Sequence, residues 1–405
     1  MGFLDLFVVA LMPVLKVLLI TALGLFLAID RVDLLGPNAR HHLNNLVFYV
    51  FSPALVVSNL AETITLDELV TLWFMPVNIL LSFIVGTLLA WILIKITRTP
   101  KHLQGLVIGC CSAGNLGNLL LIIVPAVCEE SNSPFGDSTT CSTYGEAYVS
   151  LSMAVGAIYI WTYVYTVMRA YANMGIEEDD TNVSTINITS GSHTEPLLPS
   201  TQDYSKQVDL PRTTLAKKHK VPILGNIVCC LKNFAGKIDM KKAFAPSTVA
   251  AIVGFLIGTV SPIRKAMIGD SAPLRVIYSC TSLLGDALIP SMTLIVGANL
   301  LRGLKKSGVG VSVIMGIIAV RYIFLPLLGI GIVKAAYHFG MVGSDSLYQF
   351  VLYLQYALPP AMNVGVITQL FGSGEGESSV IMLWTYVVAA LSLTLWSTLY
   401  MWLLE

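Results

Sequence analysis

Two short stretches hold the residues whose types and spacing could do chemistry. The first is Ser112-Ala113-Gly114-Asn115-Leu116-Gly117-Asn118, with Pro125 downstream; the second is Leu358-Pro359-Pro360-Ala361-Met362-Asn363-Val364-Gly365. Each places an Asn-x-Gly triplet beside helix breakers inside an apolar segment. Backbone polar groups freed within hydrocarbon must find partners in protein, water or ligand, so a broken helix survives only where it is buried or lines a cavity. The free N–H groups and the positive end of a half-helix dipole then point at one spot. An anion such as a carboxylate can sit there without a full lysine or arginine charge. Asn115 and Asn363 add amides that both donate and accept. The structural alternative is that Gly114, Gly117 and Gly365 permit close packing while the asparagines cap half-helices. Matched breaks in two halves of a chain favour the binding site over that alternative.

Other residues compete for a role. Charged side chains inside spans are functional candidates, and Lys16, Asp286 and Arg321 are such residues. Lys16 and Asp286 are expected to form an intramembrane ion pair, against snorkelling or a purely structural pair. Gln355 and Tyr356 precede the second break and are expected to line the same cavity. Met292 and Cys280 read as ordinary filling. Cys128 and Cys141 share a short polar loop and form a candidate disulfide if that loop faces away from the cytosol. His41-His42 read as a membrane-edge pair, and no residues have metal-site spacing. No nucleophile elbow or phosphate-binding glycine loop appears, so neither an enzyme nor a cofactor is expected.

The elements that must position these residues are membrane helices. The chain has 405 residues, 55% hydrophobic and 12% charged, against about 25% charged in soluble domains. Its formal net charge of zero offers no basic face for nucleic acid. The first apolar run, Phe3 to Ala28, exceeds a signal-peptide core and has no basic leader, so it reads as a span. With roughly 20 apolar residues per span, ten are expected, at about 5–28, 43–61, 70–96, 103–126, 145–170, 243–260, 275–300, 308–336, 346–371 and 378–403. The polar stretch 171–242, with Glu177-Glu178-Asp179-Asp180, has the composition of a disordered loop. It separates a first five-helix repeat (1–170) from a second (243–405). Arg31, Arg40, Lys95, Arg98, Lys101, Arg302, Lys305 and Lys306 fall on the side of this loop, which makes the loop cytosolic and both termini non-cytosolic. Sequons at Asn182 and Asn187 should then stay unmodified. Five spans per half invert the halves, so helices 4 and 9 are expected to cross at their breaks. Ser52-Pro53 in span two and Pro290-Ser291 in span seven agree with such a repeat.

The run Asn44 to Asn59, the Ser-Ala-Gly-Asn-Leu-Gly-Asn break, Leu358-Pro359-Pro360 and the 5 + loop + 5 layout resemble the plant PIN-LIKES proteins of the auxin efflux carrier superfamily. The short central loop favours that branch. The resemblance implies a fold similar to sodium/proton antiporters, with spans 1, 2, 6 and 7 as scaffold and the others as a mobile transport domain. It also implies auxin as substrate, residence in the endoplasmic reticulum membrane and a role in auxin homeostasis. By position, Asn115 matches an asparagine that meets the auxin carboxylate, Leu358-Pro359 a Leu-Pro pair at the second crossover, and Pro53 a proline beside the pocket. Ser247 stands at a pocket position that is asparagine in PIN proteins, and Gly114 where they have proline. The expected function is a carrier of indole-3-acetic acid or a related small organic anion, with the membrane and a homodimer as candidate partners. A proton-coupled carrier of another organic anion and a non-transporting membrane sensor are the alternatives.

Overall fold

The computed structural model describes residues 3–63, 71–130, 133–172, 246–269, 271–303, 308–371 and 374–405. Nearly all of the central stretch 171–242, with its acidic run and sequons, lies outside them. The described residues form helices. In chain order these are α1 (Phe3–Leu27), α2 (Pro37–Glu62), α3 (Phe74–Thr97), α4 (Lys101–Ser112), α5 (Asn118–Glu129) and α6 (Ser138–Ala172). After the central stretch come α7 (Pro246–Thr259), α8 (Ser261–Met267), α9 (Arg275–Asp286), α10 (Leu288–Gly303) and α11 (Val311–His338). The chain closes with α12 (Ser346–Ala357), α13 (Met362–Phe371) and α14 (Glu375–Leu404).

Seven helical segments among the described residues are long and apolar enough to cross a membrane, with α9 and α10 together supplying one. They match seven of the ten expected spans. The other three are not straight. Around 243–260 the chain forms α7 and then turns by 97° into α8, where Pro262 starts the second helix. At 103–126 and 346–371 it forms the pairs α4/α5 and α12/α13. A 12-residue helix such as α4 or α12 rises only about 18 Å, short of a hydrocarbon core of about 30 Å.

The helices pack in two groups. In one, α2 lies on α7 and α9 while α1 lies along α10. In the other, α3 packs on α4, α5 on α6, and α12 on both α11 and α14. The groups meet where α14 touches α1 and α10, and where α6 touches α2. Within the first group the contacts are backbone to backbone. A Cβ on Gly24 would strike the Leu294 carbonyl, one on Gly297 the Thr21 carbonyl, and one on Gly285 the backbone of Leu55. Small residues that let helices approach are how membrane helices gain contact when hydrophobicity supplies no drive.

That packing corrects the ion-pair expectation. Gly24 and Gly297 seat α1 against α10, while Gly285 draws the end of α9 onto α2. Asp286 is therefore held away from Lys16 and is exposed. Lys16 Nζ instead lies 3.7 Å from Glu129 Oε2 at the end of α5, both side chains more than half exposed.

Helix starts on one face are fixed by acidic caps. Asp137 accepts from Thr140 N at 3.0 Å to cap α6, and Asp345 accepts from Leu347 N (2.9 Å) and Tyr348 N (3.2 Å) to cap α12. The hydroxyls of Thr139 and Thr140, with the Thr140 amide, hold the Asp137 carboxyl down at about 2. Beside it, Cys128 and Cys141 are joined by a disulfide that ties the last turn of α5 to the first turn of α6, with Cα atoms 5.5 Å apart. Alkylating the denatured chain with and without reductant, read by peptide mass spectrometry, should differ at Cys128 and Cys141. Full labelling of both without reductant would refute the bond.

Candidate functional site at the helix crossover

The two interruptions meet. After Ser112 the chain becomes extended, with Ala113 at φ −87°, ψ 112°, and it runs antiparallel to Leu358–Ala361 as a single bridge between Gly114 and Pro360. Asn115 N donates to Pro359 O and Ala361 N donates to Ala113 O, both at 2.9 Å. The prolines explain the local geometry. Pro359 and Pro360 carry no N–H and disfavour helix in the residue before them, so α12 stops at Ala357 and leaves carbonyls pointing outward.

Two side chains from other helices complete the knot. Arg321, in α11, is 1% exposed. Its Nη1 donates to Cys111 O at 3.1 Å and its Nη2 to Pro359 O at 3.0 Å. One guanidinium thus caps the carbonyl ends of α4 and α12, where the half-helix dipoles are negative. Tyr386, in α14, accepts from Asn115 Nδ2 at 2.9 Å and donates to Pro360 O at 3.1 Å. With the carbonyl ends occupied by Arg321, the opposing amino ends of α5 and α13 keep their positive potential. The N-cap of α5 is Gly117, which offers no side-chain cap, so its first N–H groups remain for other partners.

Two cavities lie beside the bridge. The smaller, about 70 Å³, is lined by Ser52, Gly114, Asn115, Gly117 and Asn363, with Phe48, Trp161 and Met292 among its walls. The larger, about 380 Å³, has Pro37, Arg40, His41 and Asn299 among its lining residues, and Tyr386 lines it as well. Asn44, Met292, Met362 and Val366 line both, so the two adjoin. Ligand pockets typically fall within about 300–1,000 Å³, so the larger cavity is substrate-sized while the smaller has room for roughly two waters. Neither is lined by an aspartate or glutamate among the described residues. Phe48 and Trp161 meet edge to face, ring centroids 5.4 Å apart.

Most of the expected site residues converge here, in three ways. Ser52, Gly114, Asn115, Gly117 and Asn363 line the small cavity. Leu358, Pro359 and Pro360 are buried and shape the break, and Pro53 follows Ser52 in α2 without lining either cavity. The side chains of Asn118 and Ser247 lie outside the described set. Gln355 departs from expectation. Its Oε1 accepts from Asn78 Nδ2 at 2.8 Å and its Nε2 donates to Ser152 Oγ at 3.1 Å. Tyr356 likewise donates to Asn78 Oδ1 at 3.0 Å. Both bind α12 to its neighbours behind the crossover instead of facing a cavity. Met292, expected as filling, and His41, expected at the membrane edge, both line a cavity.

Sequence reasoning missed Tyr386, one tyrosine among sixteen with no break or charge beside it. It flagged Arg321 as an intramembrane charge without finding its partners. The π-helical turns Val47–Phe51, Ile160–Val164 and Val320–Phe324 also left no sequence signal. Each delivers a side chain to this region: Phe48, Trp161 and Arg321. Single π turns inside α-helices often occur at functional sites.

Apolar spanning helices, a bonded crossover and an adjoining cavity are the parts of a multi-pass membrane transporter, not of an enzyme. Residues 9–397 match the family described as membrane transport protein. Within it, the chain belongs to the PIN-LIKES proteins. It is 52% identical over 403 residues to Protein PIN-LIKES 1 of Arabidopsis thaliana, covering all of this chain and 81% of that relative. It is 50% identical to Protein PIN-LIKES 3 over 99% of this chain and 98% of the relative. Protein PIN-LIKES 4, of the same plant, is 46% identical over the whole of both chains.

The Arg321 clamp accounts for glycine at 114. A Cβ there would sit 2.7 Å from Arg321 Nη2, and that nitrogen is fixed by its bond to Pro359 O. A Cβ on Gly117 would meet only the flexible Met153 side chain, at 2.7 Å from Cγ. Gly114→Ala should therefore cost about 1–3 kcal/mol of stability through overpacking, and Gly117→Ala clearly less. Thermal unfolding in detergent, followed by tryptophan fluorescence, checks the order; equal midpoints would remove Arg321 as the reason for Gly114.

Proposed function

We propose that the chain is a carrier of indole-3-acetic acid, or a closely related organic monoanion, in the endoplasmic reticulum membrane. In this reading it has ten spans arranged as two inverted five-helix repeats, with α4/α5 and α12/α13 as the crossed fourth and ninth. The single observation that carries the reading is the hydrogen-bonded crossover opening onto a substrate-sized cavity. The auxin assignment comes from the resemblance to the auxin efflux carrier superfamily, and the site chemistry is compatible with it. A carboxylate at the amino ends of α5 and α13 would take the amides of Asn115 and Asn363, with Ser52, Gly114 and Gly117 in the wall and Asn118 and Ser247 as further contacts. The prolines 53, 359 and 360, with Leu358, hold the break open. An indole ring would lie against Phe48, Trp161 and the Met292–Met362 surface.

Two further features support the reading. The cavities' lack of acidic residues disfavours a sodium or proton antiporter, since those ions need carboxylate ligands. The Cys128–Cys141 disulfide supports a non-cytosolic face at the α5–α6 loop, hence a cytosolic central loop and lumenal termini. Movement of the group α3–α6 and α11–α14 against α1, α2, α7, α9 and α10, in the manner of an elevator, would expose the crossover to each side in turn.

Purified protein in liposomes should take up radiolabelled indole-3-acetate, with benzoate competing and bile-acid-sized anions competing poorly. Asn115→Ala should abolish that uptake while expression and insertion stay normal; normal uptake by this variant would remove the asparagine from the mechanism. Binding of the label without flux would instead establish a sensor. Uptake that requires a pH gradient would establish proton coupling.

A further inference from the structure

Arg321 is the only charged side chain in the buried set among the described residues. Its hydrogen bonds run to two backbone carbonyls, of Cys111 and Pro359, and its Nε has no partner. The side chains beside it that could carry charge are Cys110, Cys111, Tyr322 and Tyr386, none of them acidic at neutral pH. An arginine does not lose its proton in proteins. A full positive charge is therefore fixed at the crossover, and no carboxylate of the described chain neutralises it. The other charged groups on α3–α6 and α11–α14 lie outside the buried set, towards helix ends where water and ions can screen them.

We infer that Arg321 is the charge that travels with the substrate, so that the loaded mobile group is neutral and the empty one carries +1. This deepens the transport reading and rests on it. The charge moved in one complete cycle equals that of the substrate, because the protein returns to its starting state. What Arg321 sets is how that charge divides between the two crossings. With a monoanion bound, +1 and −1 cancel, and the loaded crossing feels no membrane potential. The empty return carries the fixed charge and takes up the whole voltage dependence. The same balance defines the substrate class. A monovalent organic anion leaves nothing uncompensated in the low-dielectric interior, whereas a dianion leaves −1 and a neutral acid leaves +1. Arg321 is thus a positioning residue for the backbone of the breaks and a specificity determinant for substrate charge.

The test compares two fluxes of labelled indole-3-acetate through the full chain in proteoliposomes, at clamped potentials of zero and about 100 mV. One charge crossing the whole field shifts an equilibrium by about 50-fold per 100 mV. Net accumulation should therefore follow the potential steeply. Exchange of internal unlabelled for external labelled substrate, in which both crossings are loaded, should stay within about twofold on the same scale. Exchange that follows the potential as net accumulation does would overturn the inference. Arg321→Lys should keep the wild-type pattern. Arg321→Gln, where it folds, should make exchange voltage-dependent, and an unchanged pattern in folded Arg321→Gln would also overturn it. If that variant does not fold, the wild-type exchange measurement decides. An aromatic dicarboxylate that competes as well as benzoate would equally count against it. If the label shows neither net uptake nor exchange, the transport reading itself fails, which is a separate result from voltage-sensitive exchange.

Discussion

The architecture depends on how backbone groups are satisfied where two helices stop inside hydrocarbon. Leaving one such group without a partner costs several kcal/mol in this setting. Asn115 N and Pro359 O satisfy each other, as do Ala361 N and Ala113 O. Neither break could provide this alone. Each supplies one donor and one acceptor to the other, so the α4/α5 and α12/α13 pairs are viable only together. The remaining carbonyls of Cys111 and Pro360 go to Arg321 and Tyr386, from two further helices. Four segments far apart in the chain therefore converge on one bridge, which makes the crossover a folding constraint as well as a candidate site.

The same constraint explains why a buried arginine is tolerated. A lone guanidinium in the bilayer is costly, and this one has no acid to pair with among the described residues. The ends of two half-helices offer it four or more aligned peptide dipoles each, and their carbonyls accept its hydrogens directly. Reach matters as much as charge. The π turn Val320–Phe324 inserts one extra residue into a turn of α11, re-aiming the side chains that follow the α-helical pattern, and Arg321 lies within it. Gly114 then gives up its Cβ to leave room.

Much of this was legible in the sequence, and what escaped it did so for physical reasons. The breaks were readable because proline, glycine and asparagine in an apolar run contradict the local propensity, and such conflicts point to function. Span positions were readable because hydrophobic length is a strong signal. The Lys16–Asp286 pairing failed because which helix lies beside α1 depends on Gly24 and Gly297, whose packing partners are set by tertiary contact and not by their own neighbours in the chain. Gln355 was misplaced by the same kind of gap. A position near a break specifies proximity to the crossover, but a rotation of one residue along α12 decides whether an amide faces the cavity or Asn78. Tyr386 was invisible because one hydroxyl at the right depth in a long apolar helix leaves no pattern. Cys128 and Cys141 were the converse case, a pairing open to sequence reasoning because the loop between them is short.

The two sides of the crossover also differ in kind. Behind it, Asn78, Gln355, Ser152 and Tyr356 bond α3, α6 and α12 to one another. Tyr322 donates to Thr385 O at 2.7 Å and Trp396 to Tyr322 O at 2.9 Å, which fastens α11 to α14. Tyr148 reaches from α6 to Asp345 at the start of α12. All of these bonds run within one of the two helix groups. Directional bonds of this sort lose their energy over a displacement of a few tenths of an ångström, so they hold those helices as a unit. In front, the walls shared by the cavities are largely Met292, Met362 and Val366. Unbranched, polarisable methionine side chains keep contact while a neighbour shifts. A body bolted at its back and faced with adaptable apolar side chains at its front is one that can slide as a whole, and it carries the crossover, with Arg321 fixed in it, wherever it goes.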